Sequence, residues 1–193
     1  MTSRQLQAYN TKHKIIQCAI DLFQQEDFKD IKIKTICDAA DISIGTFYHY
    51  FNSKEDIIIK TFEQCDMLLA DQQYDLTDLT PEQKIKSILQ QMAFIYEKNS
   101  ASFLSQLLIT QLAINNKYLL STSRYLYTEI YKHFQQGLDQ GDFHSSRTAP
   151  SLTSSLLRWL RGALYEWCLN EGSYSISNLI QDDATLFFDA IRK

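Results

Sequence analysis

The chain has 193 residues, of which 45% are hydrophobic and 22% charged, with five Gly, two Pro, four Cys and a formal net charge of −4. That length supplies one or two cores, and so little Gly and Pro favours long helices over turns. No run of 18 apolar residues occurs, and the N-terminus MTSRQLQAYNTKHK lacks a signal peptide's apolar centre, so a cytoplasmic protein with no membrane partner is expected.

The first helix is expected from about Asn10 or Thr11 to Gln25, because Ile15, Ile16, Ala19, Leu22 and Phe23 recur at helical spacing. Phe28 plugs the same core from the connection. A second helix spans about Ile33 to Ala40, with Ile33, Ile36, Cys37 and Ala40 inward and small residues that permit a close helix crossing. Asp41-Ile42 makes the turn, since Asp tolerates the left-handed conformation better than most residues. Ser43 caps a third, short helix, Ile44 to Phe51.

Phe47 and Phe51 bury one side of that third helix, and Ile44, Gly45, Thr46, Tyr48 and His49 face out. Gly45 costs about 1 kcal/mol relative to Ala inside a helix, a cost best explained if another backbone approaches closely. Tyr48 and Tyr50 can donate to phosphates and Thr46 can meet a base edge. Ser53 opens a fourth helix, with Asp56 in a capping-box arrangement, and Lys54 beside its free amides suits a phosphate. A negative net charge is unusual for a DNA binder, but its distribution matters more than its sum. Residues 1–60 balance eight Lys/Arg against eight Asp/Glu, and the remainder, 11 against 15, carries the deficit. The expected DNA-contact set is Lys32, Lys34, Ser43, Ile44, Gly45, Thr46, Tyr48, His49, Tyr50 and Lys54.

The stretch from about Lys14 to Ile59 resembles the DNA-binding domain of the TetR/AcrR family of bacterial transcriptional repressors. The likeness rests on Ile15-Ile16, Ala19, Leu22-Phe23, Phe28, Ile33, Ile36, Ala40, Ile42-Ser43, Gly45-Thr46-Phe47-Tyr48, Phe51 and Ser53-Lys54-Glu55. The chain departs from the family pattern in three places: Asp27 and Asp41 where Gly is usual, and the Ile31-Lys32 pair where a Thr pair commonly opens the second helix. None of the three removes the reading face.

Further along, helix 4 is expected to continue to about Gln73. Thr80, Pro81 and Gln83 signal the start of a helix that runs to about Lys98. A helix from about 102 to 113 follows, then a break at Asn115-Asn116 and a long helix to Gln140, ended by Gly141. The last two helices are placed at about Pro150 to Asn170 and Ile176 to Ile191. The fold class is therefore all-α, about nine helices, with residues 1–52 as a helix-turn-helix domain. Residues 53–193 form an effector-binding and dimerisation domain, with helix 4 as connector.

The resemblance implies a homodimer whose last two helices pair with their symmetry mates, Gly162 and Ala163 allowing close approach. It also implies a ligand pocket in the later helices. The aromatic residues there suit a small hydrophobic or cationic effector, and Phe94, Phe103, Tyr127, Tyr131, Trp159, Glu166 and Trp167 are its candidate contacts, with Glu97 and Glu129 as further counter-charges. The reading is a ligand-responsive repressor of a palindromic double-stranded DNA operator. The alternative is an effector-free regulator controlled by a partner protein or by cysteine oxidation. Cys18, Cys37, Cys65 and Cys168 show no CxxC and no metal spacing; all read as buried thiols, with Cys65 the one redox candidate. No enzyme, cofactor or metal is expected, because His13, His49, His133 and His144 lie far apart and no nucleophile-base motif or phosphate loop occurs.

Overall fold

The computed structural model describes residues 2–71, 77–113 and 117–191, which form nine α-helices and one 3-10 turn. The expected break at Asn115-Asn116, the expected end of helix 4 near Gln73 and the side chain of Cys65 lie outside what is described.

The first helix is longer than its apolar period suggests: α1 is Ser3–Gln25. Arg4, Gln5, Leu6, Gln7 and Ala8 are strong helix formers, and they outweigh Asn10 as a cap. Thr11 sits inside the helix with its hydroxyl donated back to the Gln7 carbonyl at 2.9 Å. α2, Ile33–Ala40, ends where Asp41 takes the left-handed conformation at φ 53°, ψ 53°. The Ile42 N–H then closes the end on the Cys37 carbonyl at 3.0 Å. α3 is Ile44–Tyr50, and Phe51 has already turned extended at φ −139°. α4 is Lys54–Asp71.

α5, Pro81–Lys98, carries a complete capping box between Thr80 and Gln83. α6 is Ala101–Ala113. The long helix expected after the Asn pair is divided. Tyr118–Leu120 is a 3-10 turn, and α7 is only Tyr125–Gln140. The serines between them explain the split: Ser121 Oγ accepts from the Ser123 N–H at 3.3 Å and lies 2.8 Å from the Ser123 hydroxyl, which offers the backbone a turn instead of a helix. Gly141, at φ 76°, caps α7. α8 is Ala149–Leu169 and α9 is Ile176–Asp189.

α5 packs against α7 and α9, and α8 lies across α6, α7 and α9. Gly137 on α7 lets the Phe143 ring press where a Cβ would overlap it, which closes a cluster of Phe134, Phe143 and Phe188 with centroids 5.7 to 6.0 Å apart. α1 joins the later helices directly, since Phe23 stacks on Phe103 of α6 at 6.5 Å. Phe103 is 1% exposed, so this expected ligand contact is packed in the core. No helix among the described residues is long and apolar enough to cross a membrane.

Candidate nucleic-acid interface

Three helices set the site, α1 long and α2 and α3 short. Ile15, Ile16, Ala19 and Phe23 of α1, Ile36, Cys37 and Ala40 of α2, and Phe47 of α3 are all buried together with Phe28 and Phe51. Burying Phe47 and Phe51 fixes the roll of α3 and leaves Ile44, Gly45, Tyr48 and His49 on one exposed face. Ile44 is 49% exposed and Tyr48 55%, so two large side chains stand in solvent on a seven-residue helix. Their packing within the chain gives no reason for that. A Cβ at Gly45 would meet only Ser43 Oγ at 3.7 Å, so no neighbour within the chain demands glycine there either.

The other expected contacts divide. Ser43 caps α3, accepting the Thr46 N–H at 3.0 Å, and its hydroxyl also lies 2.9 Å from that of Thr46. The Thr46 hydroxyl is therefore engaged at the cap. Tyr50 is half-buried against the core, its ring 4.9 Å from that of His49. Lys34 is exposed and bonded to Asp38 at 2.7 Å, an ion pair that raises its pKa, whereas the ammonium of exposed Lys32 has no partner among the described residues.

Lys54 has a different duty from the phosphate contact expected of it. Its ammonium donates to the carbonyls of Phe28 (2.5 Å), Lys29 (3.2 Å) and Ile31 (2.8 Å), and it sits 4.6 Å from the centroid of the Phe28 ring. All three ammonium donors are thus used to fasten the α1–α2 connection to the start of α4. The capping at that start is also shared out. Ser53 Oγ accepts the Asp56 N–H, while the Asp56 carboxylate takes the backbone N–H of Asn52 rather than that of Ser53.

These features coincide with the comparisons. Residues 15–61 match the model of the bacterial regulatory proteins of the tetR family. Residues 15–61 are therefore a DNA-binding segment of the tetR type. The HTH-type transcriptional regulator UidR of Escherichia coli is 38% identical over 58 residues, a segment that spans 30% of this chain and 30% of UidR. The TetR transcription regulator of Haloarcula marismortui superposes with a TM-score of 0.74 over 96% of this chain and 100% of that one, at 18% identity. The TetR-family repressor FadR of Thermus thermophilus, solved with lauroyl-CoA, gives 0.72 over 91% and 92% at 16% identity. The all-α fold is therefore shared with these structures along nearly the whole chain, and the tetR-type segment occupies its N-terminal part.

α4 connects this domain to the later helices through a buried ion pair that sequence reasoning missed. Arg124 donates Nε to Asp66 Oδ2 and Nη2 to Asp66 Oδ1, both at 2.8 Å, with side chains 6% and 4% exposed. The Tyr118 hydroxyl donates to the same carboxylate at 2.7 Å, and the guanidinium lies 5.0 Å from the Tyr118 ring centroid. Burial alone would weaken the Arg124 cation, but the hydrogen bond and charge of Asp66 outweigh it and raise its pKa. Partners 58 residues apart leave no periodic trace in the sequence.

The seven ligand candidates are dispersed. Phe94 is exposed, with the Lys98 ammonium 4.4 Å from its ring centroid, and Tyr131 and Glu166 are exposed as well. Trp159 donates to Asp183 at 3.3 Å, and buried Trp167 to the Tyr174 carbonyl at 2.8 Å. Glu97 takes the Ser175 hydroxyl at 2.6 Å and the Ser177 N–H at 3.1 Å at the start of α9. Burial would raise its pKa, but those bonds together hold it below the usual carboxylate value. Of the seven, Tyr127 borders a cavity of about 240 Å³ between α7, α8 and the 3-10 turn, and its neighbours there are arginines rather than aromatics.

Proposed function

We propose that this protein is a DNA-binding transcriptional regulator that represses as a homodimer, with α3 of each subunit in successive major grooves of a palindromic operator. The observation that carries the reading is the exposed face of α3, where Ile44, Gly45, Tyr48 and His49 stand together on a helix locked by Phe47 and Phe51. Lys32, Lys34 and Tyr50 flank that face, and Ser43 and Thr46 open it. Residues 1–52 act as the reading head and residues 53–193 as the effector-binding and dimerisation part, with α4 between them. Two-fold symmetry then calls for half-sites about one helical turn, roughly 34–36 Å, apart.

Dimerisation is supported by the outer side of the last two helices. Tyr165 and Leu169 on α8 and Leu186 on α9 are 57%, 65% and 70% exposed. A Cβ on Gly162 meets nothing within 4 Å, so the mid-helix glycine has no reason inside one chain and an evident one if a second copy lies against it. An effector acts by binding unequally to the two spacings of the heads. Burial raises the pKa of Cys37 and Cys168 above the ordinary thiol value, which makes those two poor redox sensors, while the redox candidate Cys65 has its side chain outside the described residues.

The test is binding of the full chain to fragments selected from its own genome. Tyr48→Ala should weaken binding by about tenfold or more, as loss of a single contact worth roughly 1–3 kcal/mol does. Unchanged affinity in both Tyr48→Ala and Ile44→Ala would remove α3 from the interface.

A further inference from the structure

The cavity between α7, α8 and the 3-10 turn holds more positive charge than folding explains. Arg124, Arg158 and Arg161 all line it, with Ser154, Ser121 and Thr122 as hydroxyl donors, and no acidic residue does. The one carboxylate at its back, Asp66, is consumed by Arg124 and Tyr118. Arg161 donates to the Leu119 carbonyl at 3.3 Å and has no carboxylate partner among the described residues, although it is only half-buried. Burial, with Arg124 and Arg158 adding to it and Tyr96 opposing, lowers the pKa of Arg161 from its ordinary value. Asp66 neutralises Arg124, which leaves the half-buried Arg161 and the exposed Arg158 without a carboxylate among the described residues, in a chain of net charge −4 that has carboxylates to spare.

We propose that this cavity binds a small organic anion, a carboxylate or phosphate gripped by the Arg161 and Arg158 guanidiniums, and that its occupancy is relayed to α4 through the Arg124–Asp66 pair. Guanidinium forks match planar and tetrahedral oxyanions in bidentate geometry. The 240 Å³ volume lies below the roughly 300–1,000 Å³ of drug-sized pockets, so the part of the ligand it encloses is small. The relay has a short path. Arg124 lines the cavity on one side and holds Asp66 of α4 on the other, and α4 begins where Lys54 fastens the reading head. An anion that draws on the Arg124 charge competes with Asp66, which loosens α4 from α7. This ligand class differs from the hydrophobic or cationic effector expected from the aromatic residues.

The relay rests on the regulator reading above, and two readouts keep the failures apart. Thermal unfolding of the full chain is followed with inorganic phosphate, succinate, glycerol 3-phosphate and the uncharged 1,4-butanediol, at matched ionic strength. At least one anion should raise Tm saturably by about 3 °C or more, as a ligand specific to the native state does, while the diol should not. Arg161→Gln should weaken that response at least tenfold and Arg161→Lys less, both variants unfolding near the wild-type temperature without anion. A response from phosphate alone selects a phosphate-bearing ligand, one from succinate alone a carboxylate. No saturable rise with any anion, or an equal rise in folded Arg161→Gln, overturns the site. If an anion stabilises the protein but leaves its operator affinity unchanged, the relay fails and the site stands. If the chain binds no DNA at all, the regulator reading fails.

Discussion

Two residues of the reading head accept a local cost that the chain itself never recovers. Gly45 sits in a helix with room for a methyl group, so Gly45→Ala should raise stability by about 0.5–1 kcal/mol. The same change should lower operator affinity, because the added methyl stands where a DNA backbone or base edge would come. Urea unfolding and DNA titration on one preparation check both halves, and a gain in both would remove the close approach. Asp41 holds the left-handed turn between α2 and α3 at φ 53°. Asp41→Gly should stabilise by up to about 1 kcal/mol, since only glycine adopts that conformation freely. It also removes a negative charge beside the DNA, so affinity should rise most at low salt. The open space around Gly45 is a property that the sequence alone does not show. The duty of Lys54 could not be read in advance, because three carbonyls of a loop some 23 to 26 residues away carry no side-chain signature.

At the scale of elements, helix positions follow from apolar spacing and caps, and the discrepancies follow from polar chemistry. α2, α3 and α5 stand where their periodicity and their Asp41, Ser43 and Thr80 signals put them. The start of α1 was obscured because residues 3 to 8 are helix formers without an apolar stripe, and the start of α7 because Ser121 and Ser123 compete with the helix. The Asp66–Arg124 pair is a buried link between α4 and the N-cap of α7. Asp66→Ala should cost about 3–5 kcal/mol by leaving a buried guanidinium unpaired, whereas Asp66→Leu with Arg124→Met should recover most of it. Chemical denaturation of the two variants decides between a buried ion pair and an incidental contact. α7 also buries His133, whose ring nitrogens have no hydrogen-bond partner among the described residues, Nε2 lying 3.8 Å from the Glu129 carboxylate. Burial lowers its pKa from 6.5, with Glu129 and Gln136 opposing and Lys132 and Lys84 adding to the shift. A depressed histidine favours the neutral fold, so its contribution is present above the unfolded pKa and is lost as pH falls below about 6.5. His133→Leu should flatten that decline, measured as the urea midpoint at pH 7.5 and 5.5.

For the molecule as a whole, the reading head was the legible part because its residues are local, short-range and shared with the matched relatives over residues 15–61. The effector region was not, because aromatic residues are equally good at filling a core. Phe103 and Trp167 do that, and the charged cavity is assembled from α7, α8 and a 3-10 turn that no single stretch announces. The proposed two-fold assembly rests on the exposed outer face of α8 and α9. Gly162→Glu should leave each subunit folded and shift it to a monomer in sedimentation, with loss of tight binding to a two-half-site operator but not of weak binding to a single half-site. The central claim is that α3 reads DNA, and the most direct measurement is the dissociation constant of the full chain for its selected genomic fragment across a salt series. Wild-type affinity is predicted to fall on the order of 10³-fold between about 50 and 200 mM salt if six or more phosphates are contacted, with Tyr48→Ala at least tenfold weaker throughout. A salt-independent affinity, or one that neither Tyr48→Ala nor Ile44→Ala changes, would contradict it.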